Sequence, residues 1–202
     1  SKVFAGEWAA QSDKTVSVEN QNNWLTAVNE AAFMTGLERN ADVVHMASYA
    51  PLFAHVDGWQ WRPDLIWVDN LNTYGTPNYY VQKFFSLNKG TQVVPITLNK
   101  DVVAGQDSLY ASAVVDKNAN ELVIKIVNAS GREQINMLSV EGVKKLASKA
   151  TLIVMQEGDV TKVNSIEQPL QVTPQETVFT IKRKKFEYKS APYSFSILRI
   201  KL

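Results

Sequence analysis

In the first 90 residues, short apolar runs typical of buried strands alternate with segments in which apolar residues recur at helical spacing. The run at residues 3–5 is bounded by Gly6 and predicts a buried strand that ends at Glu7. Apolar residues then recur at helical spacing over residues 24–37, and a short β-branched run follows at residues 43–47. A strand, a crossover helix and a parallel buried strand make one β-α-β unit.

Polar and helix-breaking residues mark the ends of these elements. Asn22 or Asn23 can cap the first helix, because a side-chain oxygen accepts a free N–H of the first turn. Residues 49–77 are rich in Pro and Gly and predict a loop. Residues 78–87 follow Pro77 and predict a second helix, which extends the unit to β-α-β-α.

From residue 91 onward the pattern changes to short alternating runs separated by turn residues, which is typical of an antiparallel sandwich or jelly roll. The sequence therefore predicts two domains, 1–90 and 91–202. The predicted strands of the second domain are residues 108–116, 121–128, 149–156, 177–182 and 193–201.

Charge and composition narrow the classes of function. The chain has 202 residues and a formal net charge of +1, with −3 on residues 1–90 and +4 on residues 91–202, so no strong field favours nucleic acid or a membrane surface. It has no Cys and two His, which excludes Cys-ligated zinc and multi-histidine metal sites. All five Trp lie in the acidic first region, a weak indication of a sugar-binding surface, although Trp is more often core.

The beginning of the chain gives no targeting signal. The first residues, SKVFAGEW, lack the basic head and long apolar stretch of a signal peptide, and no apolar run approaches the roughly 20 residues of a membrane span. The chain enters a predicted strand within two residues, which reads as a cut and not as a natural beginning.

Five sequence blocks carry a specific resemblance. In order they are GEWAA, NEAAFMTGLERNADVV, MASYAPLF, WQWRPDLIWVDN and YGTPNYYVQKFFSLNKG. Their order and spacing resemble the α-L-arabinofuranosidases of glycoside hydrolase family 51. The resemblance is strong over residues 3–95 and looser over the remainder, which ends in a PxSxxxLRI-type segment at residues 192–200.

The resemblance implies a fold class and one catalytic residue. It places KVFAGEW on the seventh strand and VVHMASYAP on the eighth strand of a (β/α)8 barrel. The chain would then be the last β-α-β-α of the barrel, an α/β remnant, followed by the all-β antiparallel sandwich. Active sites of such barrels lie at the carboxyl ends of the strands. Glu7, within the G-E-W motif, inherits the role of catalytic nucleophile.

Retaining glycoside hydrolysis also needs a second carboxyl group about 5 Å away as acid/base. In the family this is a Glu that follows Asn at the end of the fourth strand. Asn29-Glu30 falls inside a predicted helix and Asn120-Glu121 falls in the sandwich, so both pairs are chance matches. The acid/base lies outside this chain, which is therefore expected to be an inactive fragment on its own.

Three further residues are candidate sugar contacts. Gln60 and Trp61 follow the eighth strand, on the same side as Glu7. They could contact the sugar, or they could only pack within the loop. Trp8 could form a wall of the pocket, or could pack on a neighbouring strand. His45 lies in the apolar strand and is expected to be structural. The resemblance implies no metal and no organic cofactor.

The function implied for the parent enzyme is release of terminal non-reducing α-L-arabinofuranosyl residues from arabinose-containing polysaccharides or oligosaccharides, with retention, as part of arabinose metabolism and polysaccharide degradation. Exposed strand edges predict a homo-oligomer, and family resemblance favours a secreted or periplasmic location. Two alternatives remain: a stand-alone carbohydrate-binding or adhesion module without hydrolase activity, and a different sugar specificity within the same superfamily.

Overall fold

The computed structural model describes all 202 residues, and they group into two compact units. The first unit contains Ser1–Leu87 and Glu157–Thr173. The second contains Asn88–Gln156 and Pro174–Leu202. The sequence predicted one boundary at residue 90. The structure differs in grouping Glu157–Thr173, which is preceded and followed by strands of the second unit, with the first unit.

The first unit is built on the predicted β-α-β arrangement. Strands β1 (Val3–Trp8) and β2 (Val44–Tyr49) pair in parallel, and helix α1 (Trp24–Arg39) connects them. The Asn23 side chain accepts the N–H of Thr26 at 3.0 Å and so caps the helix, as predicted for Asn22 or Asn23. These elements confirm the predicted order of strand, helix and strand.

Helix α2 (Pro77–Leu87) packs against α1 and completes the apolar interior of this unit. The buried face of α1 includes the large indole of Trp24 and the small side chains of Ala27 and Ala31, all fully buried. On α2, Val81 and Phe85 are buried. Small residues on one helix allow the two backbones to approach closely, with the larger side chains filling the remaining space.

The strand pair β1–β2 is more exposed than its sequence predicted. Phe4 is 58% exposed and its cross-strand partner Met46 is 62% exposed. His45 of β2 is exposed as well, although it lies within the apolar run of that strand. The physical reason is that each of the two strands has only the other as its neighbour in the sheet, so much of their apolar surface is left uncovered.

The predicted loop at residues 49–77 contains a small sheet that the sequence did not predict. Its strands are β3 (Phe53–His55), β4 (Ile66–Val68) and β5 (Thr73–Gly75). β3 and β4 pair in parallel, and β4 and β5 pair antiparallel. Strands of three residues are too short to show a period of two, which is why the Pro and Gly residues dominated the prediction.

The second unit has the layered antiparallel arrangement of a β-sandwich. Its main sheet has six strands in the order β13-β12-β15-β10-β9-β6, and a separate sheet pairs β11 with β14. The strands are β6 (Gln92–Val94), β9 (Leu109–Asp116), β10 (Glu121–Asn128), β11 (Gln134–Ser139), β12 (Lys149–Gln156), β13 (Gln175–Thr180), β14 (Lys185–Ser190) and β15 (Ser194–Lys201). A short hairpin, β7 (Thr97–Leu98) and β8 (Asp101–Val102), and a 3₁₀ turn at Gln106–Ser108 lie between β6 and β9.

All five strands predicted for this region are present, with β13 beginning two residues earlier than expected. Its core contains side chains from both sheets, such as Leu198 of the main sheet and Phe186 of β14. One charged group is buried on the other face of β10, because Lys125 alternates along the strand with the core residues Ile124 and Ile126. Lys125 is fully buried, and its ammonium donates to the Asn88 carbonyl at 2.7 Å. A hydrogen bond to the ammonium offsets part of the cost of burying its charge.

Candidate functional site

Glu7 lies near the carboxyl end of β1. The carboxyl ends of parallel barrel strands are where active sites generally form. The side chain is exposed. Its backbone has φ +54°, the left-handed region that non-glycine residues enter at a cost of roughly 1–2 kcal/mol. The pairing of β1 with β2 shifts register between Ala5 and Trp8, so the strand is locally distorted at this residue.

Glu7 lines a cavity of about 530 Å³ at this end of the strand pair. Two of the predicted sugar contacts, Trp8 and Trp61, line the same cavity. Gln60 does not line it, and its side chain is exposed. The structure therefore brings together Glu7, Trp8 and Trp61 and leaves Gln60 apart. The remaining lining residues are Ala9, Gln11, Thr15, Ala50, Pro51 and Arg62.

Trp8 both lines the cavity and packs against the unit behind it. Its ring meets Phe33 of α1 edge to face, with centroids 4.9 Å apart, and Tyr49 of β2 at 6.1 Å. The Nε1 atom of Trp8 is buried and has no hydrogen-bond partner. Both interpretations of Trp8 from the sequence, cavity wall and packing residue, are therefore compatible with its position.

Arg62 fixes the loop that carries Trp61, and sequence reasoning did not single it out. Its guanidinium lies over the ring of Trp59 at 4.6 Å and over the ring of Trp67 at 4.8 Å. It also donates to the Val18 carbonyl at 2.7 Å, and its backbone N–H donates to the Thr15 carbonyl at 2.9 Å. Each cation–π contact contributes about 0.5–1 kcal/mol. The only indication of this role in the sequence is that Arg62 directly follows two Trp residues, in the segment WQWR.

Two acidic residues of the first unit, Glu30 and Asp64, are buried. Glu30 of α1 is 1% exposed, and burial raises the pKa of its carboxyl to about 7, although hydrogen bonds from the Ala10 N–H and from neighbouring amides oppose the rise. Burial also raises the pKa of Asp64 to about 6. Tyr49 accepts a hydrogen bond from Asn22 at 2.6 Å, and burial followed by the nearby Glu30 charge raises its pKa well above the usual range.

The two Asn-Glu carboxylates have structural surroundings of their own. Glu30 lies within α1 and is directed into the packed interior, and Glu121 lies in β10, ion-paired with Arg199 and Lys201. Asn29-Glu30 thus lies in a helix and Asn120-Glu121 at the start of a sandwich strand, as predicted, and neither pair ends a parallel strand. The structure contains no group of three or more His, Cys, Asp or Glu that could hold a metal ion.

Comparison with known proteins identifies the family. The model of the alpha-L-arabinofuranosidase C-terminal domain matches residues 6–194. The chain is 34% identical to alpha-L-arabinofuranosidase 1 of Arabidopsis thaliana, over 96% of this chain and 28% of that protein. It is 54% identical over 94 residues to an extracellular exo-alpha-L-arabinofuranosidase of Streptomyces chartreusis, over 46% of this chain and 10% of that protein. The chain belongs to the α-L-arabinofuranosidases of family 51 and corresponds to their C-terminal portion.

Solved structures agree. An arabinose-bound α-L-arabinofuranosidase named MgGH51 superimposes with a TM-score of 0.90 at 34% identity, over 99% of this chain and 32% of that one. The α-L-arabinofuranosidase of Thermotoga maritima has the same fold, with a TM-score of 0.78 at 20% identity over 43% of its chain. This chain therefore spans about a third of the length of MgGH51 and 28% of the Arabidopsis protein. None of its helices is long and apolar enough to cross a membrane.

Proposed function

We propose that this chain supplies the catalytic nucleophile and the C-terminal β-sandwich of a retaining α-L-arabinofuranosidase. In this proposal residues 1–90 are the end of a (β/α)8 catalytic barrel and residues 91–202 are the sandwich domain. The observation that carries it is the position of Glu7: the carboxyl end of a parallel strand, beside a cavity that Trp8 and Trp61 also line.

The chemistry assigns Glu7 a single step. Its carboxylate attacks the anomeric carbon of an arabinofuranosyl unit, the glycosidic oxygen leaves with a proton from the acid/base, and water then hydrolyses the glycosyl-enzyme with retention. The acid/base carboxyl must lie about 5 Å away. The resemblance places the acid/base outside this chain, which spans 28% of the Arabidopsis relative, so this chain alone is expected to be inactive.

Aromatic side chains suit the sugar-binding part of this role. Trp61 is 50% exposed in the cavity, so its ring can pack on the C–H face of a sugar. Trp8, held from behind by Phe33, would form a wall. Gln60 is adjacent to Trp61 and would need to turn to reach a sugar bound beside Glu7. No metal or organic cofactor is required by this mechanism.

The uncovered strand pair supports the barrel assignment. Interior strands of a parallel barrel are covered on both faces and read as continuous apolar runs. Phe4 and Met46 are apolar, paired and exposed. This exposure is expected if the two strands are covered by other parts of a barrel in the complete enzyme. The same exposed surface predicts that this chain on its own self-associates into a homo-oligomer, and size-exclusion chromatography that showed a clean monomer at high concentration would oppose this.

Relatives suggest substrate and location. The Streptomyces relative is an extracellular exo-acting enzyme. We extend this to the enzyme that contains this chain and propose release of terminal arabinofuranosyl residues from arabinose-containing polysaccharides outside the cytoplasm.

The nucleophile assignment is tested in the complete enzyme with Glu7→Gln, using Glu19→Gln as the control because Glu19 is an exposed loop carboxylate. Glu7→Gln should lower turnover of an aryl α-L-arabinofuranoside by at least roughly a thousandfold with the fold intact, and the control should stay within about twofold. A mechanism-based arabinofuranosyl inhibitor should add its mass to the peptide that contains Glu7. Labelling of a different carboxylate would rule out the assignment.

A further inference from the structure

The backbone at Glu7 needs support from its surroundings. A left-handed φ at a non-glycine residue persists only when contacts on both sides hold it there. Before Glu7 the strand is paired, with Phe4 opposite Met46 and Ala5 opposite Ala47. The contacts that follow Glu7 therefore decide whether its conformation is kept.

The chain after Glu7 is fastened at two points. The Trp8 carbonyl accepts the N–H of Ala50 at 3.2 Å, which continues the pairing with β2. The N–H of Ala10 donates to the Glu30 carboxyl at 3.0 Å. The second contact is the only one of the two made by a side chain.

Glu30 is held in place from several sides. It is 1% exposed on α1, and its second oxygen accepts the side-chain N–H of Gln82 of α2 at 3.3 Å. Phe33, one turn further along α1, packs against the ring of Trp8. One face of α1 thus fixes both the backbone and the aromatic side chain that follow Glu7.

The groups that face Glu30 do not supply a compensating positive charge. The Glu30 carboxyl faces the neutral side chains of Asn78 and Gln82 on α2. On β2 the neighbouring titratable group is the Tyr49 hydroxyl, which is also uncharged at neutral pH. A buried carboxyl without a cation is costly to keep, and an apolar residue would pack more favourably among Ala27 and Ala31. The hydrogen bond that Glu30 accepts from the Ala10 N–H explains why a carboxyl stands at this buried position.

We propose that Glu30 is a positioning residue for the nucleophile: by holding the Ala10 N–H it keeps the segment Glu7–Ala10 in the geometry that directs the Glu7 carboxylate to the cavity. This inference rests on the proposed function of Glu7. An oxygen acceptor is the requirement, so the amide oxygen of glutamine should replace the carboxyl and an aliphatic side chain should not.

The first test compares Glu30→Gln with Glu30→Leu in the complete enzyme. Glu30→Leu should lower kcat by about tenfold or more with KM within about threefold, because a displaced nucleophile slows the chemical step. Glu30→Gln should retain kcat within about threefold. The matched control is Thr35→Val, which removes a buried hydroxyl of the same helix that hydrogen-bonds to Ala32 and Arg39 of α1. Equal kcat in all four proteins, or equal loss in both Glu30 variants, would overturn the proposal.

The second test uses this 202-residue chain and needs no activity. Hydrogen exchange of the Ala10 amide, followed by NMR, should be slow in the wild type and in Glu30→Gln and at least roughly tenfold faster in Glu30→Leu. Fast exchange in the wild type would overturn the proposal even if no variant folded. Failure of Glu7→Gln to abolish turnover, with Ala10 still protected, would instead locate the error in the nucleophile assignment.

Discussion

The buried carboxyl of Glu30 makes the stability of the first unit depend on pH in an unusual direction. Its pKa is about 7 in the folded protein and near its ordinary value of 4.5 when the chain is unfolded. The folded state therefore binds a proton more tightly than the unfolded state. The contribution of Glu30 to the free energy of unfolding should be highest below pH 4.5, fall as pH rises to 7, and stay constant above.

The magnitude follows from the two pKa values. The separation between 4.5 and about 7 corresponds to about 3 kcal/mol, or about 1.4 kcal/mol per pH unit within that interval. Asp64 acts in the same direction between its ordinary value of 3.8 and about 6. A difference between the wild type and Glu30→Gln removes the contribution of Asp64, which both proteins share.

Urea denaturation between pH 4 and pH 8, followed by Trp fluorescence, measures this difference. The fluorescence reports only on the first unit, because all five Trp lie within Ser1–Leu87. Glu30→Gln should gain stability relative to the wild type by about 3 kcal/mol on going from pH 4 to pH 8. Asp64→Asn serves as the comparison, with its gain confined to lower pH.

A pH-independent difference between Glu30→Gln and the wild type would show that Glu30 titrates normally in the folded chain. If the wild type instead gained stability relative to Glu30→Gln as the pH rose, the pKa of Glu30 would be lowered by folding and not raised. Either result would refute the reasoning from burial.

Two further substitutions test local packing. Asn23→Ala removes the helix cap and should lower the stability of the first unit by about 1 kcal/mol in the same urea assay, and an unchanged midpoint would contradict the capping role. Gly90→Ala would place a Cβ 2.6 Å from the Cβ of Val114 and should destabilise the second unit by about 1–3 kcal/mol in calorimetry. The control is Gly158→Ala in the first unit, whose new Cβ would meet nothing within 4 Å. It should leave the transition of its own unit unchanged, and an equally small effect of Gly90→Ala on the second unit would argue against the clash.

The parts of the fold that follow from sequence are those with a clear period. Helices α1 and α2 and the long strands β10, β12 and β15 were all predicted within about two residues. Strand β11 was missed because its pattern runs opposite to expectation: Ile135 is 62% exposed and Met137 is 56% exposed. Strand β14 was missed because it begins at the end of the basic run Lys182–Lys185, which was interpreted as a solvated strand end.

The site was predictable only in part. The G-E-W motif and its strand placed Glu7 correctly at a strand end, and Trp61 lies in the same cavity. Glu30 could not be recognised, because an acidic residue on a helix is usually solvated and its neighbours become known only after folding. A carboxyl within the stripe formed by Ala27 and Ala31 was the only signal.

Segment Glu157–Thr173 has a consequence for any attempt to recombine these enzymes. The carbonyls of Val160 and Lys162 accept the first free N–H groups of α1, those of Leu25 and Trp24. A chimera joined at residue 90 would keep α1 from one parent and take its hydrogen-bond acceptors from the other. Exchange between homologues should therefore succeed more often when Glu157–Thr173 travels with the first unit, which requires three crossovers instead of one.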